Sequence, residues 1–460
     1  MIRNYLISSG HRLPEDETYA AMQTWLCWYK GFVADFHRYW VYTGGTKRRT
    51  RMKRATMMMA KSVCAEHAKL LLNDRVRISC EGFDALEEIL ARTDFRAQAN
   101  RLVELAFAMG TGAFVEYKGE DGAPVIDFVQ GDMIFPLRWR GQTVIDCAFG
   151  SRITLPDGKR GYYIQLHEKQ TDKTYRIRNV YLNEEGKQIP VPENVQEEIL
   201  TGSTAPLFQL IRPARVNSVD LNSPLGMSVF GDAIDQLRGV DLIYDSYLNE
   251  FTLGRKRCMV PQSMATLLQE KDGIVAPRFD PKDTVFYVYE QSPDGKQDLR
   301  FIDPALRVDE HIKGLQQALD LLSFKCDLGI GRFRFEGGTV KTAKEVIAQN
   351  SDLYQAIKRN EQVIESAIFD MIRALAFLSG HTAECTPVIT FDDSVFEDDD
   401  ATANRNVLLV NAGLRTRTDA IMSVDRVDEA IAKKKAAEIL QEQRGQLDDF
   451  LEGRSFGSDE

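Results

Sequence analysis

Residues 337–342 read Gly-Gly-Thr-Val-Lys-Thr, and glycines ahead of a Lys-Thr pair are the residue types that cradle a phosphate. A phosphate loop of the form G-x-x-x-x-G-K-[ST] ending at Lys341 and Thr342 needs glycines at 335 and 340. Those positions are Phe335 and Val340, so the nucleotide motif fails. Thr342 and Glu345 have the spacing of a capping box. The helix start it marks offers backbone N–H groups to an anion, or is simply a well-capped start. A second cluster, Asp392, Asp393, Glu397, Asp398, Asp399 and Asp400, has the oxygen ligands of a hard cation. The EF-hand pattern and its glycine are absent, and the run reads as an acidic, helix-capping turn. The six histidines are dispersed with no His-x-x-x-His pair. His381 near Cys385 lacks the second pair of ligands that zinc takes, and no G-x-S-x-G elbow is present. The residues give no catalytic set, no metal site and no cofactor.

At roughly 150 residues per domain, the chain of 460 residues makes about three structural units. Its net charge of −10 argues against a tight, general grip on nucleic acid. One run opposes that average: Lys47, Arg48, Arg49, Arg51, Lys53 and Arg54. It fits a nucleic-acid patch or a solvated loop and helix start. The seven cysteines make no paired metal spacing and read as reduced and intracellular. The start lacks the basic and apolar regions of an export signal. No stretch approaches ~20 consecutive apolar residues, so no membrane span is expected.

Along the chain, Trp25, Trp28, Tyr29, Phe32, Phe36, Tyr39 and Trp40 fall on one helical face over 16–42, a packed face or a stacking platform for bases. Helices are expected at 55–72 (with Met58, Val63, Ala68, Leu71 and Leu72 inward), 83–92 and 95–109. Strand periodicity takes over from 111 to 187, with hairpin turns at 120–122 and 156–158. A capped helix is expected over 226–253, striped with Phe230, Ile234, Leu237, Tyr244, Leu248 and Phe251, and interrupted by Asp241. Val229, Ala233, Val240, Ile243 and Tyr247 form a second stripe on it. Short strands follow over 258–305, with 285–289 the clearest. A second helix over 306–328 carries Val308, Ile312, Leu315, Leu319, Leu322 and Cys326. Gly329 and Gly331 stop it. The loop Arg332-Phe333-Arg334-Phe335-Glu336-Gly337-Gly338, ending at Lys341, has three cations against one acid. A third long helix spans 342–378. A strand at 388–391 and helices near 400–412, 417–423 and 425–445 complete the chain, and 455–460 reads as disordered. The fold class is α+β.

Three stretches carry a resemblance: NSPLGMSVFGDAIDQLRGVDLIYDSYLNEFTLGRKRCMVP (222–261), FRFEGGTVKTAKEVIAQNSDLYQAIKRNEQVIESAI (333–368) and VITFDDSVFEDDDATANRNVLLVNAGLRTRTDAI (388–421). They resemble the portal proteins of tailed bacteriophages, of the type found in phages and prophages of Gram-positive bacteria. The resemblance implies a non-enzymatic ring of twelve copies at one capsid vertex, a virion component assembled in the host cytoplasm. It implies a portal-like architecture of long stem helices, a small β-containing clip, an α/β wing and a short helical crown. The wing would be 1–222 with 342–395, the stem 223–254 and 306–329, the clip 255–305, the tunnel loop 330–341 and the crown 396–460. Phe230, Ile234, Leu237, Leu248, Ile312, Leu315, Leu319 and Leu322 would pack the stem. Arg255, Lys256 and Arg257 would dock partners at the clip, and the tunnel loop would face passing double-stranded DNA. The implied protein partners are terminase, head–tail adaptor, scaffolding and major capsid proteins, with no membrane. Two other readings stand beside it. One is an intracellular enzyme acting on a phosphorylated or nucleic-acid substrate through 332–342. The other is a helical adaptor that binds only protein.

Overall fold

The computed structural model describes residues 1–42, 49–119, 121–156, 158–261, 267–269, 275–277, 286–289, 300–335, 343–381, 385–391, 399–425 and 431–441. Glu336, Gly337, Gly338 and Lys341, the acidic residues 392–398, and 455–460 lie outside them. The chain divides into two compact units, Met1–Gly337 with Gln355–Phe391, and Gly338–Tyr354 with Asp392–Glu460.

In the first unit the centre is the helix Phe95–Met109, whose Phe95, Leu102, Val103, Ala106, Phe107 and Met109 are all buried. Helices Asp16–Tyr29 (α1) and Met59–Leu71 (α2) pack on it, so it becomes α3 in chain order. Asn100 on α3 donates its Nδ2 to the Ala68 and Leu72 carbonyls at 3.0 and 2.6 Å, closing the C-terminal end of α2. Phe95 and Phe128 flank Phe114, the last edge-on at 5.7 Å, and fasten α3 to the sheet of Phe208–Ile211, Gly112–Lys118 and Pro124–Gln130. A larger antiparallel meander runs Ile134–Arg140, Thr143–Thr154, Arg160–Lys169, Tyr175–Asn183 and Gln188–Ile189, with Glu198–Leu200 also on Tyr175–Asn183. Both expected hairpins lie in these sheets. Arg77–Glu81 pairs with Thr386–Thr390 across the length of the chain.

Three expectations change. The aromatic helix stops at Tyr29; Ala34–His37 is a short helix, and Arg38–Tyr42 is a strand paired with Arg49–Lys53. Trp25 and Trp28 are buried, while Trp40 is 60% exposed. The described part of the basic run, Arg49–Lys53, is therefore a strand and not a loop leading into a helix. Next, α2 begins at Met59, because Met58 is held at φ +54°, outside the helical region, with its side chain exposed.

Third, the helix expected over 226–253 spans Ile234–Leu253 (α4), after a short 3₁₀ turn at Gly231–Ala233. The residues before it spend their backbone groups on the core. Gly226 N–H donates to Thr111 Oγ1 at 3.0 Å and Val229 N–H to the Phe107 carbonyl at 3.0 Å. Asn217 Nδ2 donates to the Leu225 carbonyl at 3.0 Å. Gly226 and Gly110 pass backbone to backbone, and a Cβ on Gly110 would meet the Gly226 carbonyl at 2.5 Å. Tertiary hydrogen bonds and close packing override the helical pattern here.

The partner of α4 is Val308–Lys325 (α5). Arg215 ties the start of one to the end of the other. Its guanidinium donates to the Val229 carbonyl at 2.7 Å, the Lys325 carbonyl at 2.6 Å and Asp327 Oδ2 at 3.2 Å. The third long helix is Ala343–Leu378 (α6). In the second unit, Asp399–Asn411 and Arg417–Asp425 form a helical hairpin about Gly413, at φ +71°, and 431–441 is helical.

Two stability predictions follow from this core. Arg215→Ala should lower the unfolding free energy by about 2–4 kcal/mol in urea denaturation, because hydrogen bonds from a charged donor are worth about 1.5–3 kcal/mol each. Arg215→Lys should recover only part of it, since a single ammonium cannot span the three acceptors. The second concerns acid. Burial lowers His67 to about 4 and His167 to about 3. The unfolded chain takes up these protons near 6.5 and the folded chain resists them. Stability is therefore full above about pH 6.5 and falls as pH drops toward 4, by roughly 3 kcal/mol for His67 alone. Urea midpoints should be lower at pH 5 than at pH 7.5, and His67→Gln should reduce that difference by about half, His167 supplying the rest.

Candidate functional site: the helix pair and its two ends

The stripe that faces the body from the first helix mixes both sequence stripes: Ala233, Leu237 and Val240 are buried, as is Asp241. Phe230 is buried but precedes the helix, and Ile234 is half-buried. On α5, Leu319 and Leu322 are buried and Leu315 is half-buried. Leu248 and Ile312 are exposed in the single chain, together with Leu242, Phe251, Leu321 and Phe324.

Toward the far end, aromatic and polar contacts replace the core. Tyr247 meets the Phe251 ring edge-on at 5.1 Å, and Ser246 Oγ lies 3.2 Å from His311 Nε2. Arg307 donates through Nε and Nη2 to the two oxygens of Glu250 at 3.1 and 2.8 Å. This two-pronged pair holds the Glu250 carboxyl down to about 2 and joins the points where the chain leaves and re-enters the helix pair.

Between those points lies the small β module. Arg257–Pro261 is central, parallel to Phe286–Tyr289 and antiparallel to Arg300–Ile302, and Leu267–Gln269 pairs with Val275–Pro277. The strand expected at 285–289 is present over Phe286–Tyr289. Of the three cations expected to dock partners, Arg255 is exposed, Lys256 pairs with Asp303 at 2.9 Å, and Arg257 opens the central strand.

At the other end, α5 stops at Cys326. Asp327 takes φ +59°, and Gly329 and Gly331 take +72° and +86°. The loop that follows is tied to its own chain. Arg332 Nε donates to Glu66 Oε1 at 3.0 Å, Arg334 lies 3.8 Å from Asp320, and the Phe333 carbonyl accepts from Gln316 Nε2 at 3.1 Å. Phe335 is 70% exposed.

Sequence reasoning missed His37, Arg215 and Glu66. The single signal was Asp241, a carboxylate in an apolar stripe, which asks for a partner. That partner is buried His37, whose Nε2 is 3.1 Å from Asp241 Oδ2. Among the described residues no cluster of His, Cys, Asp and Glu could hold a metal ion, and no helix is long and apolar enough to cross a membrane.

The family model described as phage portal protein, SPP1 Gp6-like, matches residues 14–448. A chain from the virion of a native gene transfer agent particle is 11% identical, with a TM-score of 0.42, covering 92% of this chain and 99% of that one. A chain from the neck of the native gene transfer agent particle, computed with C12 symmetry, is 11% identical, with a TM-score of 0.41, covering 80% and 89%. No curated protein matches. The matched family is one of structural capsid proteins and not of enzymes. From a match that runs through nearly the whole sequence, the chain belongs to the phage portal protein family.

Proposed function

We propose that this chain is a ring subunit at one vertex of a phage capsid, forming the channel by which double-stranded DNA enters and leaves. The observation that carries this is the family match over 14–448 on a chain whose antiparallel helix pair holds a compact β module at one end. The helix pair is the stem, now starting at Ile234, and the module around Arg257–Pro261 is the clip. Residues 1–222 with 342–395 are the wing and 396–460 the crown. A subunit in the virion needs two kinds of contact, one to its copies and one to the machinery outside. The copies form a closed ring, most often of twelve, through heterologous contacts. Leu242, Leu248, Phe251, Ile312, Leu321 and Phe324 supply apolar surface for it, since each is exposed on a helix of the stem.

The clip, with Arg255, Lys256 and Arg257, is the docking tip for terminase and then for the head–tail adaptor. Scaffolding and major capsid proteins contact the wing. The tunnel loop 330–341 borders the channel. Its first half is anchored by Arg332 on Glu66 and Arg334 on Asp320, which favours a loop set in place by its own chain. Energy for packaging comes from the terminase, and the chain hydrolyses nothing.

Native mass spectrometry should show a ring for the parent. Leu242→Asp with Leu321→Asp should shift it to monomers at equal concentration, with the unfolding midpoint of the chain kept. A parent that stays monomeric across concentration and salt removes this reading. Replacing Arg255, Lys256 and Arg257 by Ala should weaken terminase binding at least tenfold while the ring stays intact. Loss of the ring with docking kept would assign the segment to assembly instead.

A further inference from the structure

We propose that the two-stranded ribbon Arg38–Tyr42 and Arg49–Lys53 is a sequence-independent contact for the phosphate backbone of double-stranded DNA, separate from the loop that follows the second stem helix. The portal reading supplies the DNA at hand; the binding itself belongs to the isolated chain and is measured there.

The charge is concentrated. Residues 38–54 read RYWVYTGGTKRRTRMKR, with Arg38, Lys47, Arg48, Arg49, Arg51, Lys53 and Arg54 and no acidic residue, inside a chain of net charge −10. Pairing then sorts the ribbon into two faces. Arg38 is opposite Lys53, Trp40 opposite Arg51, and Tyr42 opposite Arg49. Directly paired residues share a face, and alternate residues return to it, so Arg38, Trp40, Arg49, Arg51 and Lys53 lie together. The other face has Tyr39, Val41, Thr50 and Met52, all uncharged. Every residue of Arg49–Lys53 is exposed.

The ribbon is also held firmly at its base. The His37 carbonyl accepts from Arg54 N–H at 2.8 Å, and Arg54 Nη1 donates to the Phe36 carbonyl at 2.7 Å. Ala55 N–H donates to Asp245 at 2.9 Å and Met57 N–H to Asp241 at 2.8 Å. His37 beneath it is fixed by Asp241. Both ends of the ribbon are thus clamped to the stem helix. Arg38 and Lys53 are steadied over the Phe32 ring at 4.7 and 5.8 Å.

An acceptor-only polyanion fits this face. Cations two residues apart on a strand repeat about every 6.6–6.8 Å, a regular row of donors with no acceptor among them. Interfaces with DNA are polar and strongly positive, whereas the core of a protein interface centres on apolar anchors and is depleted in charged residues as a class, with Arg the one exception. The cationic face offers Trp40 as its one described aromatic, too little for such an anchor. A two-stranded ribbon also has the width that the major groove admits. With phosphates as the target, the contact positions the chain and carries no base information.

The test is fluorescence anisotropy of a labelled random-sequence 30-base-pair duplex with the purified chain, from 50 to 200 mM KCl. The parent should bind, and more weakly as salt rises. Arg49→Ala, Arg51→Ala and Lys53→Ala together should cost at least about tenfold at 50 mM, with the salt slope shallower by about 2–3. Arg49→Lys with Arg51→Lys should restore most of the binding, which separates charge from folding. Arg140→Ala with Arg160→Ala, on the large sheet, should bind like the parent. The proposal is overturned if the triple variant binds duplex as the parent does. It is equally overturned if the parent leaves duplex unbound but takes polyglutamate or phosphatidylglycerol vesicles through the same three residues. Ring size by native mass spectrometry is read separately, so loss of the ring with duplex binding kept counts against the portal reading alone.

Discussion

A buried carboxylate decides how the middle of this chain is assembled. Asp241 sits on the inward stripe of α4, beside Leu237 and Val240, with its side chain 5% exposed. A carboxylate there is costly unless every oxygen finds a donor. Oδ2 faces His37 and Oδ1 accepts from Met57 N–H at 2.8 Å. Three stretches far apart in sequence are thereby fixed at one point: the end of the aromatic segment, the start of α2, and α4. Removing one partner of such a buried pair typically costs about 3–5 kcal/mol, because the other group is left without compensation. An apolar residue at 241 would have packed the helix but could not have positioned the ribbon. Asp245, one turn further along, repeats the arrangement with Ala55.

Much of the architecture was legible because its determinants are local. Helix Phe95–Met109 is bounded as its periodicity indicates, and α5 ends at Lys325, just ahead of Asp327, Gly329 and Gly331, all at positive φ. The two hairpins are announced by their turn residues. What was illegible is non-local. Arg77–Glu81 alternates polar and apolar residues but is only five residues long, and its partner Thr386–Thr390 lies at the other end of the sequence, so the pairing could not be read from it. Residues 226–233 carry a helical stripe, yet their amides are satisfied by Thr111 and Phe107, and Gly226 is pressed against Gly110. The basic run reads as a helix start on composition. Its residues Arg49–Lys53 form a strand because Arg38–Tyr42 pairs with them residue for residue.

The candidate site divides the same way. The order helix, short strands, helix, glycine loop, long helix was present in the sequence, and it is what the family match rests beside. Partners of individual side chains were not. Arg332 and Arg334 look like free cations in a glycine-bracketed loop. In the fold each meets a carboxylate, and Glu66 lies 266 residues away. Arg215 sits in no motif, yet it supplies donors to three segments. Charge along a sequence gives the supply of ions, and only the fold gives their pairing.

That distinction bears on how an acidic chain can handle DNA. A uniform negative surface repels phosphate, and a uniform positive one would hold it too firmly for passage, because each neutralised phosphate adds to binding. Here the cations after α5 face carboxylates of their own chain, which blunts them. The described ribbon carries four cations, Arg38, Arg49, Arg51 and Lys53, in a stretch from 38 to 54 whose sequence has no acidic residue. In the proposed function, positive potential is therefore placed on a separate element whose base is clamped to α4 by Asp241 and Asp245 and whose cations lie on its own exposed face. On that proposal, holding DNA and letting it pass fall to different parts of one subunit, and the exposed cations can be changed without touching the buried contacts of α4.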